Sequence, residues 1–296
     1  MNNFDALPTR TLDNGFIRME TLANAGPRIM HLSAFGSENL LVKLTTQEKR
    51  ITAYGDFYFM GGHRLWHAPE ALPRSYIPDH DGLTTEDLPD GLRLRRPTEP
   101  GSGIAKTIDI HLTQGRAAAT LVHTLRNDGL WEVELAPWAV TMFRLNGTVI
   151  LPQPVGDPKG LLHNRILSIW PYTQLNDPRL MLRDDYILIR ATASLPALKI
   201  GYYNPHGWSA YWWNGVLFRK TFNAQPASWE ASGITYPDAG CNTECYCSDQ
   251  CVELETLNPL GKLAPGSSVT LTETWELFPS LDQPFLPAEI QALVAG

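Results

Sequence analysis

The sequence predicts an all-β fold, a large β-sandwich in which two antiparallel sheets pack face to face. Three observations predict it. Six Asn-Gly or Asp-Gly dipeptides mark tight turns, because these residue types tolerate a positive φ. Between them, short segments alternate apolar and polar residues with a period of two. The 23 prolines and 23 glycines are spread along the chain and interrupt any long helix.

Eight segments have the composition and alternation of strands, and we expect each to form one. In chain order they are 16–23, 28–35, 117–126, 131–140, 186–192, 197–203, 251–257 and 268–277. Only 287–296, "PAEIQALVAG", reads as a helix. No repeat and no Gly-, Ser- or charge-rich linker divides the chain, so we expect a single domain over residues 1–296.

Composition excludes several classes of partner. Of the 296 residues, 43% are hydrophobic and 19% charged, which is enough apolar material for a sizeable core. The net charge of −7 and the lack of a basic block argue against nucleic acid. No apolar run reaches membrane-spanning length, and the first residues lack a signal-peptide pattern. We therefore expect a soluble, cytoplasmic protein with neither nucleic acid nor a membrane as its partner.

All four cysteines lie within 241–251, "CNTECYCSDQC". Zinc sites usually have two CxxC-like pairs well apart, and this spacing is too tight for four tetrahedral ligands. We expect four reduced thiols on or near a strand and no metal site, with a metal or redox role as the alternative. They are Cys241, Cys245, Cys247 and Cys251.

The stretch 59–73, "FMGGHRLWHAPEALP", is the first candidate for a binding site. Gly61 and Gly62 allow close approach of the backbone, and Pro69 makes a helix improbable, so we expect a polar loop. So many ionisable types on one loop point to function; the alternative is a surface loop with an ion pair between Arg64 and Glu70. The candidate residues here are His63, Arg64, Trp66, His67 and Glu70.

Two further segments could complete the site. Glu253 and Glu255 share one face of a strand, and mutual repulsion would raise the pKa of one of them, as suits a general acid or base. The alternative is that one is exposed or paired with a cation. Segment 161–179 reads as a loop or loop and strand that could form one wall of a cleft. Further candidates in and near these segments are His163, Arg165, Trp170, Tyr172 and Glu244.

Aromatic residues beside polar groups favour a carbohydrate ligand. The face of an aromatic ring packs against the C–H face of a sugar, while a polar tip donates hydrogen bonds. Trp66, Trp170, Tyr172 and Trp208 have this setting, although each could equally belong to the core.

Three segments together resemble the aldose 1-epimerase (galactose mutarotase-like) superfamily. Residues 251–277, "CVELETLNPLGKLAPGSSVTLTETWEL", resemble its C-terminal strands, and 12–41 and 197–215 resemble its opening hairpin and its central strand pair. "GGHRLWHAPE" (61–70) with "WPYTQLNDPR" (170–179) is similar to a bacterial branch of it. The resemblance implies a large β-sandwich that binds a sugar in a concave groove, without metal or organic cofactor.

The resemblance also implies roles. A Glu, here Glu255, takes the proton of the anomeric hydroxyl while a His protonates the ring oxygen, and Arg64 and His63 hold the substrate. Trp138 stands where the acid His would be, so His67 or His163 would have to replace it. We therefore expect a sugar 1-epimerase-type isomerase. The alternatives are a carbohydrate-binding protein without turnover and an enzyme that cleaves a glycosidic or uronate bond.

Overall fold

The structure, a computed structural model, describes residues 7–45, 47–226 and 234–279, and two ten-stranded antiparallel sheets dominate it. The segment 287–296, predicted as a helix, lies outside the described residues. The first sheet contains, in spatial order, β1 (Thr9–Asp13), β2 (Ile17–Leu22), β3 (Arg28–Ala34), β6 (His63–Ala68), β11 (Val133–Phe143), β20 (Val252–Leu257), β19 (Thr243–Cys247), β16 (Leu198–Tyr202) and β13 (Leu167–Ile169), with β21 (Gly261–Leu263) paired to β11.

The second sheet packs on the first, and three smaller elements lie outside both sheets. Its order is β14 (Leu180–Leu182), β15 (Tyr186–Arg190), β12 (Thr148–Pro152), β17 (Trp208–Trp213), β18 (Val216–Phe222), β22 (Ser268–Pro279), β10 (Ala118–Asn127), β9 (Ile104–Leu112), β8 (Gly91–Arg96) and β7 (Thr84–Leu88). The remaining elements are the hairpin of β4 (Lys49–Thr52) and β5 (Gly55–Tyr58), a 3₁₀ turn (Arg74–Tyr76) and the short helical turn α1 (Pro237–Gly240).

The predicted all-β sandwich is confirmed, and all eight predicted segments form strands. Three of the six turn dipeptides close hairpins: Asn14-Gly15, Asp90-Gly91 and Asn214-Gly215. Asp128-Gly129 and Asn146-Gly147 instead join strands of different sheets. These two turns are as tight as hairpin turns, but the strand after each one packs into the facing sheet.

Two apolar layers lie on opposite faces of the first sheet. The larger layer fills the space between the sheets, where β9 buries every second residue. A smaller layer of Phe57, Trp66, Tyr76 and Trp138 covers the outer face of the first sheet at β6 and β11. Both strands are therefore buried on both faces, and neither has the apolar–polar alternation of a half-buried strand. Among the described residues, no helix has the length and apolar character needed to cross a membrane.

Candidate functional site: an aromatic pocket on the first sheet

The "GGHRLWHAPE" segment, predicted as a polar loop, is the central strand β6, and the loop prediction is wrong. Gly61 and Gly62 have φ of +84° and +71°, and a Cβ at Gly62 would lie 2.3 Å from the carbonyl oxygen of Ile29. The prediction failed because β6 is buried on both faces, so its sequence lacks the apolar–polar alternation of a half-buried strand. The two glycines provide the close backbone approach that the sequence predicted.

Strand register aligns the candidate residues in rows across the outer face of the first sheet. Because side chains alternate between faces, residues paired in register point the same way. One row runs through Arg64, Val140, Glu255, Glu244 and Gly201. The next rows on the same face are Trp66, Trp138 and Leu257, and Met142, Glu253, Tyr246 and Lys199.

These rows form the floor of a pocket of about 520 Å³. This volume is in the range of small-molecule sites. Its walls combine aromatic rings with a few charged groups, the usual composition of a site that binds a small amphipathic ligand. The pocket brings together six predicted site residues: Arg64, Trp66, Glu70, Trp170, Tyr172 and Glu253.

Below the pocket, one lysine holds two buried carboxylates. The Nζ of Lys199 lies 2.8 Å from Oε2 of Glu244 and 3.0 Å from Oε2 of Glu255. The indole N–H of Trp138 donates to the same Glu255 oxygen at 2.9 Å. Lys199 Nζ also sits over the rings of Trp138 and Trp170, at 5.2 and 4.7 Å from their centroids. The cation is thus enclosed by aromatic rings and carboxylates.

Burial and charge set the protonation of this group. Burial alone would lower the pKa of Lys199, but Glu255 and Glu244 outweigh it and hold that pKa well above its usual value. Burial raises the pKa of the Glu244 carboxyl well above normal, and the neighbouring Glu255 adds to the rise. Two carboxylates thus face one cation, which favours a proton on Glu244.

Glu253 is one of the acidic residues that line the pocket itself. Burial raises its pKa to about 7, and the charge of Glu255 adds to the rise while Arg64 opposes it. Oε1 of Glu253 lies 3.5 Å from a terminal nitrogen of Arg64, so the ion pair of Arg64 is with Glu253 and not with Glu70. Near neutral pH, Glu253 can therefore give up or accept a proton at the pocket surface.

Glu70 lines the opposite side of the pocket. The hydroxyl of Tyr76 donates to its Oε1, and burial raises the pKa of Glu70 above normal. Tyr172, next to Trp170 in the wall, has a pKa raised by burial as well. The prediction that 161–179 supplies one wall of a cleft therefore holds for the part that follows β13.

None of the predicted histidines reaches this pocket. His63 and His67 point to the interior of the sandwich, because odd-numbered residues of β6 face away from Arg64 and Trp66. The Nε2 atoms of His63 and His123 lie 2.8 Å apart. His67 Nε2 lies 3.8 Å from Glu99, a carboxylate that also holds Lys106 at 2.6 Å.

Three other predicted residues are also far from the pocket lining. His163 and Arg165 belong to an exposed loop, where Arg165 donates to the carbonyl of Asp184. Trp208 lies on the outer face of the second sheet, with its ring centroid 6.2 Å from that of Tyr186. Glu244 and Glu255 lie under the floor, where Lys199 binds both and Trp138 donates to Glu255. These residues were predicted to belong to the site because their neighbours in the sequence are polar or aromatic. Such neighbours do not indicate on which face of a strand a side chain lies.

Sequence reasoning missed Lys199 and Tyr246, both of which line the pocket. A signal for Lys199 was present: it is the lone charged residue of the otherwise apolar strand segment 197–203. A charge inside a buried strand needs a partner, and the carboxylates of 244–255 were the available ones.

Possible metal ligands lie elsewhere. Among the described residues, the ligand atoms of His63, His123 and Glu273 lie within 4.8 Å of one another. Glu273, however, already binds Lys220 at 3.1 Å and accepts the indole N–H of Trp275 at 2.9 Å. This group is therefore a buried hydrogen-bond network whose carboxylate already has a cation. The four cysteines are free, buried thiols on or beside β19 and β20.

No protein-family model and no curated protein matches the sequence. Solved structures do match. The Slr1438 protein of Synechocystis sp. PCC 6803 has a TM-score of 0.58 and 12% identity, covering 95% of this chain and 100% of that one. A galactose mutarotase-like protein of Lactobacillus casei has a TM-score of 0.55 and 9% identity, with coverage of 92% and 100%. A protein of Escherichia coli K12, provisionally named an aldose 1-epimerase, has a TM-score of 0.54 and 13% identity, with coverage of 93% and 100%. The chain has the galactose mutarotase-like fold.

Proposed function

We propose that this chain, with its galactose mutarotase-like fold, binds a sugar in the aromatic pocket and interconverts the two anomers of that sugar. The observation that carries the proposal is a carboxyl with a pKa of about 7, Glu253, in the wall of a pocket lined by Trp66, Trp138 and Trp170. The rings can stack on the C–H faces of a pyranose, and the carboxyl can move protons at neutral pH.

Mutarotation requires two proton transfers at the anomeric centre. The anomeric hydroxyl loses its proton as the bond between C1 and the ring oxygen breaks, and the ring oxygen gains a proton. The open-chain aldehyde then rotates about the C1–C2 bond, and the reverse transfers close the ring to the other anomer. A histidine acid was expected, but among the described residues no histidine lines the pocket.

The neutral form of Glu253 can perform both transfers. Its hydroxyl oxygen donates a proton to the ring oxygen while its carbonyl oxygen accepts the proton of the anomeric hydroxyl, so the carboxyl ends neutral. The two oxygens of a carboxyl are spaced much like the two oxygens on an anomeric carbon. Glu255, predicted as the base, supports this chemistry from below, because its charge helps to raise the pKa of Glu253.

Anomer exchange measured by NMR on a panel of aldoses and uronates tests the proposal. We expect the wild type to accelerate exchange and Glu253→Gln to lose at least about 100-fold of that acceleration. Glu86→Gln, on the exposed edge strand β7, is the matched control and should behave as the wild type. Because the neutral carboxyl does the work, the acceleration should fall as pH rises through about 7.

The same data separate the alternatives. An acceleration that rises through pH 7 would assign the ionised carboxylate as a simple base and contradict the two-transfer scheme. Complete loss of the acceleration in Glu255→Gln, together with full acceleration in Glu253→Gln, would assign the catalytic proton transfers to Glu255. Binding without exchange would favour a carbohydrate-binding protein, an alternative that the lack of a histidine in the described pocket supports.

A further inference from the structure

Arg64 is a buried arginine that lacks adequate acceptors. Only 2% of the residue is exposed, yet its guanidinium lines the pocket, stacked 4.0 Å from the ring centroid of Trp66. One terminal nitrogen donates to the sulfur of Met142 at 3.0 Å, and the other lies 3.5 Å from Glu253. Among the described residues, its Nε has no hydrogen-bond partner. A guanidinium has five N–H donors, and buried donors are normally paired with good acceptors.

Two other buried arginines of this chain show what a satisfied guanidinium looks like. Every side-chain nitrogen of Arg28 donates to an oxygen, either of Asp79 or of a main-chain carbonyl. Arg179 does the same with Asp177 and with carbonyls of three residues. Neither lines the pocket. Arg96 is a further buried arginine whose Nε lacks a partner among the described residues, but both of its terminal nitrogens donate to main-chain carbonyl oxygens. Arg64 differs from these three arginines because its terminal nitrogens contact a sulfur and a carboxylate oxygen 3.5 Å away.

Glu253 is an incomplete counterion for Arg64. Its contact is at the outer limit of an ion pair, and with a pKa of about 7 it is neutral part of the time at physiological pH. The other charged groups around it are Glu255 on its own strand, Lys199 on β16 and Glu70 across the pocket. Lys199 is already matched by two carboxylates. The fork of Arg64 therefore has unused donors that an acceptor on a ligand in the pocket can take.

We propose that Arg64 binds the carboxylate of an acidic sugar, so that the substrate class of this pocket is uronates; the inference rests on the proposed function of the pocket. A planar carboxylate matches the guanidinium fork with two charge-assisted hydrogen bonds. In a uronate this carboxylate is attached to C5, beside the ring oxygen, so it can reach Arg64 while the anomeric centre faces the adjacent Glu253. A phosphate dianion fits less well, because four carboxylates already line the pocket: Glu48, Glu70, Asp249 and Glu253.

Calorimetric and NMR titrations with galactose, glucose, the 6-phosphates of these two aldoses, galacturonate and glucuronate test the inference. In the wild type we expect a uronate to bind about tenfold or more tightly than its parent aldose. Arg64→Lys keeps the charge but loses the fork, and should remove most of that preference while still binding the neutral sugar. Arg95→Lys, at an exposed position of β8 outside the pocket lining, is the matched control and should keep it.

A wild-type measurement guards against a variant that fails to fold. A uronate that takes over Arg64 adds negative charge beside Glu253, so binding near pH 7–8 should take up protons, detectable in buffers of different ionisation enthalpy. Equal or weaker binding of uronates than of aldoses, or a preference for the 6-phosphates, would overturn the inference and leave sugar binding intact. Binding of no sugar at all would overturn the proposed function together with it.

Discussion

At the scale of single residues, Lys199 decides the electrostatics of the site. It neutralises Glu244 and Glu255, which are cross-strand neighbours in the register and would otherwise repel each other in a buried setting. Its charge also acts directly on Glu253 in the pocket wall, where it opposes the rise in pKa that burial causes. One cation therefore affects the protonation of both Glu244 and Glu253.

Replacing Lys199 by Met should be strongly destabilising. The change keeps most of the side-chain volume but leaves two buried carboxyl groups without their cation, and removal of one partner from a buried ion pair costs about 3–5 kcal/mol. The free energy of unfolding, measured by urea denaturation, checks this. Lys262→Met is the matched control, because that lysine is exposed and 3.9 Å from its partner Glu132. Equal stability of the two variants would contradict a structural role for the buried cation.

At the scale of elements, the turn that precedes β6 determines to which face each side chain of the strand points. Gly61 and Gly62 both have positive φ, and the backbone of β3 lies against Gly62. The strand then alternates its residues between the sandwich interior, at His63 and His67, and the pocket, at Arg64 and Trp66. A shift of one residue in this register would exchange the two sets.

Gly62→Ala tests how much close packing at this turn contributes to the stability of the fold. The new Cβ would lie 2.3 Å from the carbonyl oxygen of Ile29 and 2.8 Å from the sulfur of Met30. Gly36→Ala is the matched control, because Gly36 has a nearly identical φ of +72° but no atom within 4 Å of a Cβ. We expect Gly62→Ala to lower the free energy of unfolding by about 1–3 kcal/mol more than Gly36→Ala does. Equal losses would mean that backbone strain alone, not close packing, selects glycine there.

At the scale of the whole molecule, a histidine pair joins the two sheets. His63 from the first sheet and His123 from the second share a hydrogen bond between their Nε2 atoms. The outer nitrogens bond to Thr141 and to the carbonyl of Leu271, at 3.0 Å each. If His123 donates to that carbonyl and accepts from His63, all four nitrogens are satisfied with both rings neutral. A proton added to His63 would turn the Thr141 hydroxyl from donor to acceptor and place a charge where water is excluded.

This pair should make folding sensitive to acid. Burial lowers the pKa of both rings, and Lys220 opposes a charge on either. Below the unfolded value of about 6.5, the unfolded chain binds protons that the folded chain does not, so stability is present above that pH and is lost as pH falls. We expect His63→Gln with His123→Gln to flatten the profile below pH 6.5 by up to about 1.4 kcal/mol per pH unit for each ring. Urea denaturation from pH 5 to 8 measures it.

His163→Gln is the control for that experiment, since His163 lies in an exposed loop. It should leave the pH profile of the wild type unchanged. A double variant with the same acid sensitivity as the wild type would show that other groups, such as Glu99 with its pKa lowered to about 2 despite burial, dominate the acid response.

Local pattern predicted eight of the 22 strands that the structure describes, and β6 is not among them. Segments such as 117–126 and 268–277 are less buried on one face than on the other. Their residues therefore alternate in polarity, and this alternation predicts a strand. Glu253 and Glu255 were correctly predicted to share a face, because that follows from strand periodicity alone. The face itself, and the distance of each carboxyl from solvent, depends on which strands pack above it.

Sequence alone was enough to predict the all-β class, three of the hairpin turns, eight of the 22 strands that the structure describes, and the residue types of the site: arginine, carboxylates and aromatic rings. Tertiary structure alone decided which of these residues meet. Strand pairing brought Lys199 to Glu244 and Glu255, and turned His63 and His67 away from Arg64. The physical reason is that turn and strand propensities are local, whereas the pairing of β6 with β11 and of β16 with β19 joins residues distant in the chain. Such contacts depend on how the complete sandwich buries its apolar residues, which local sequence does not determine.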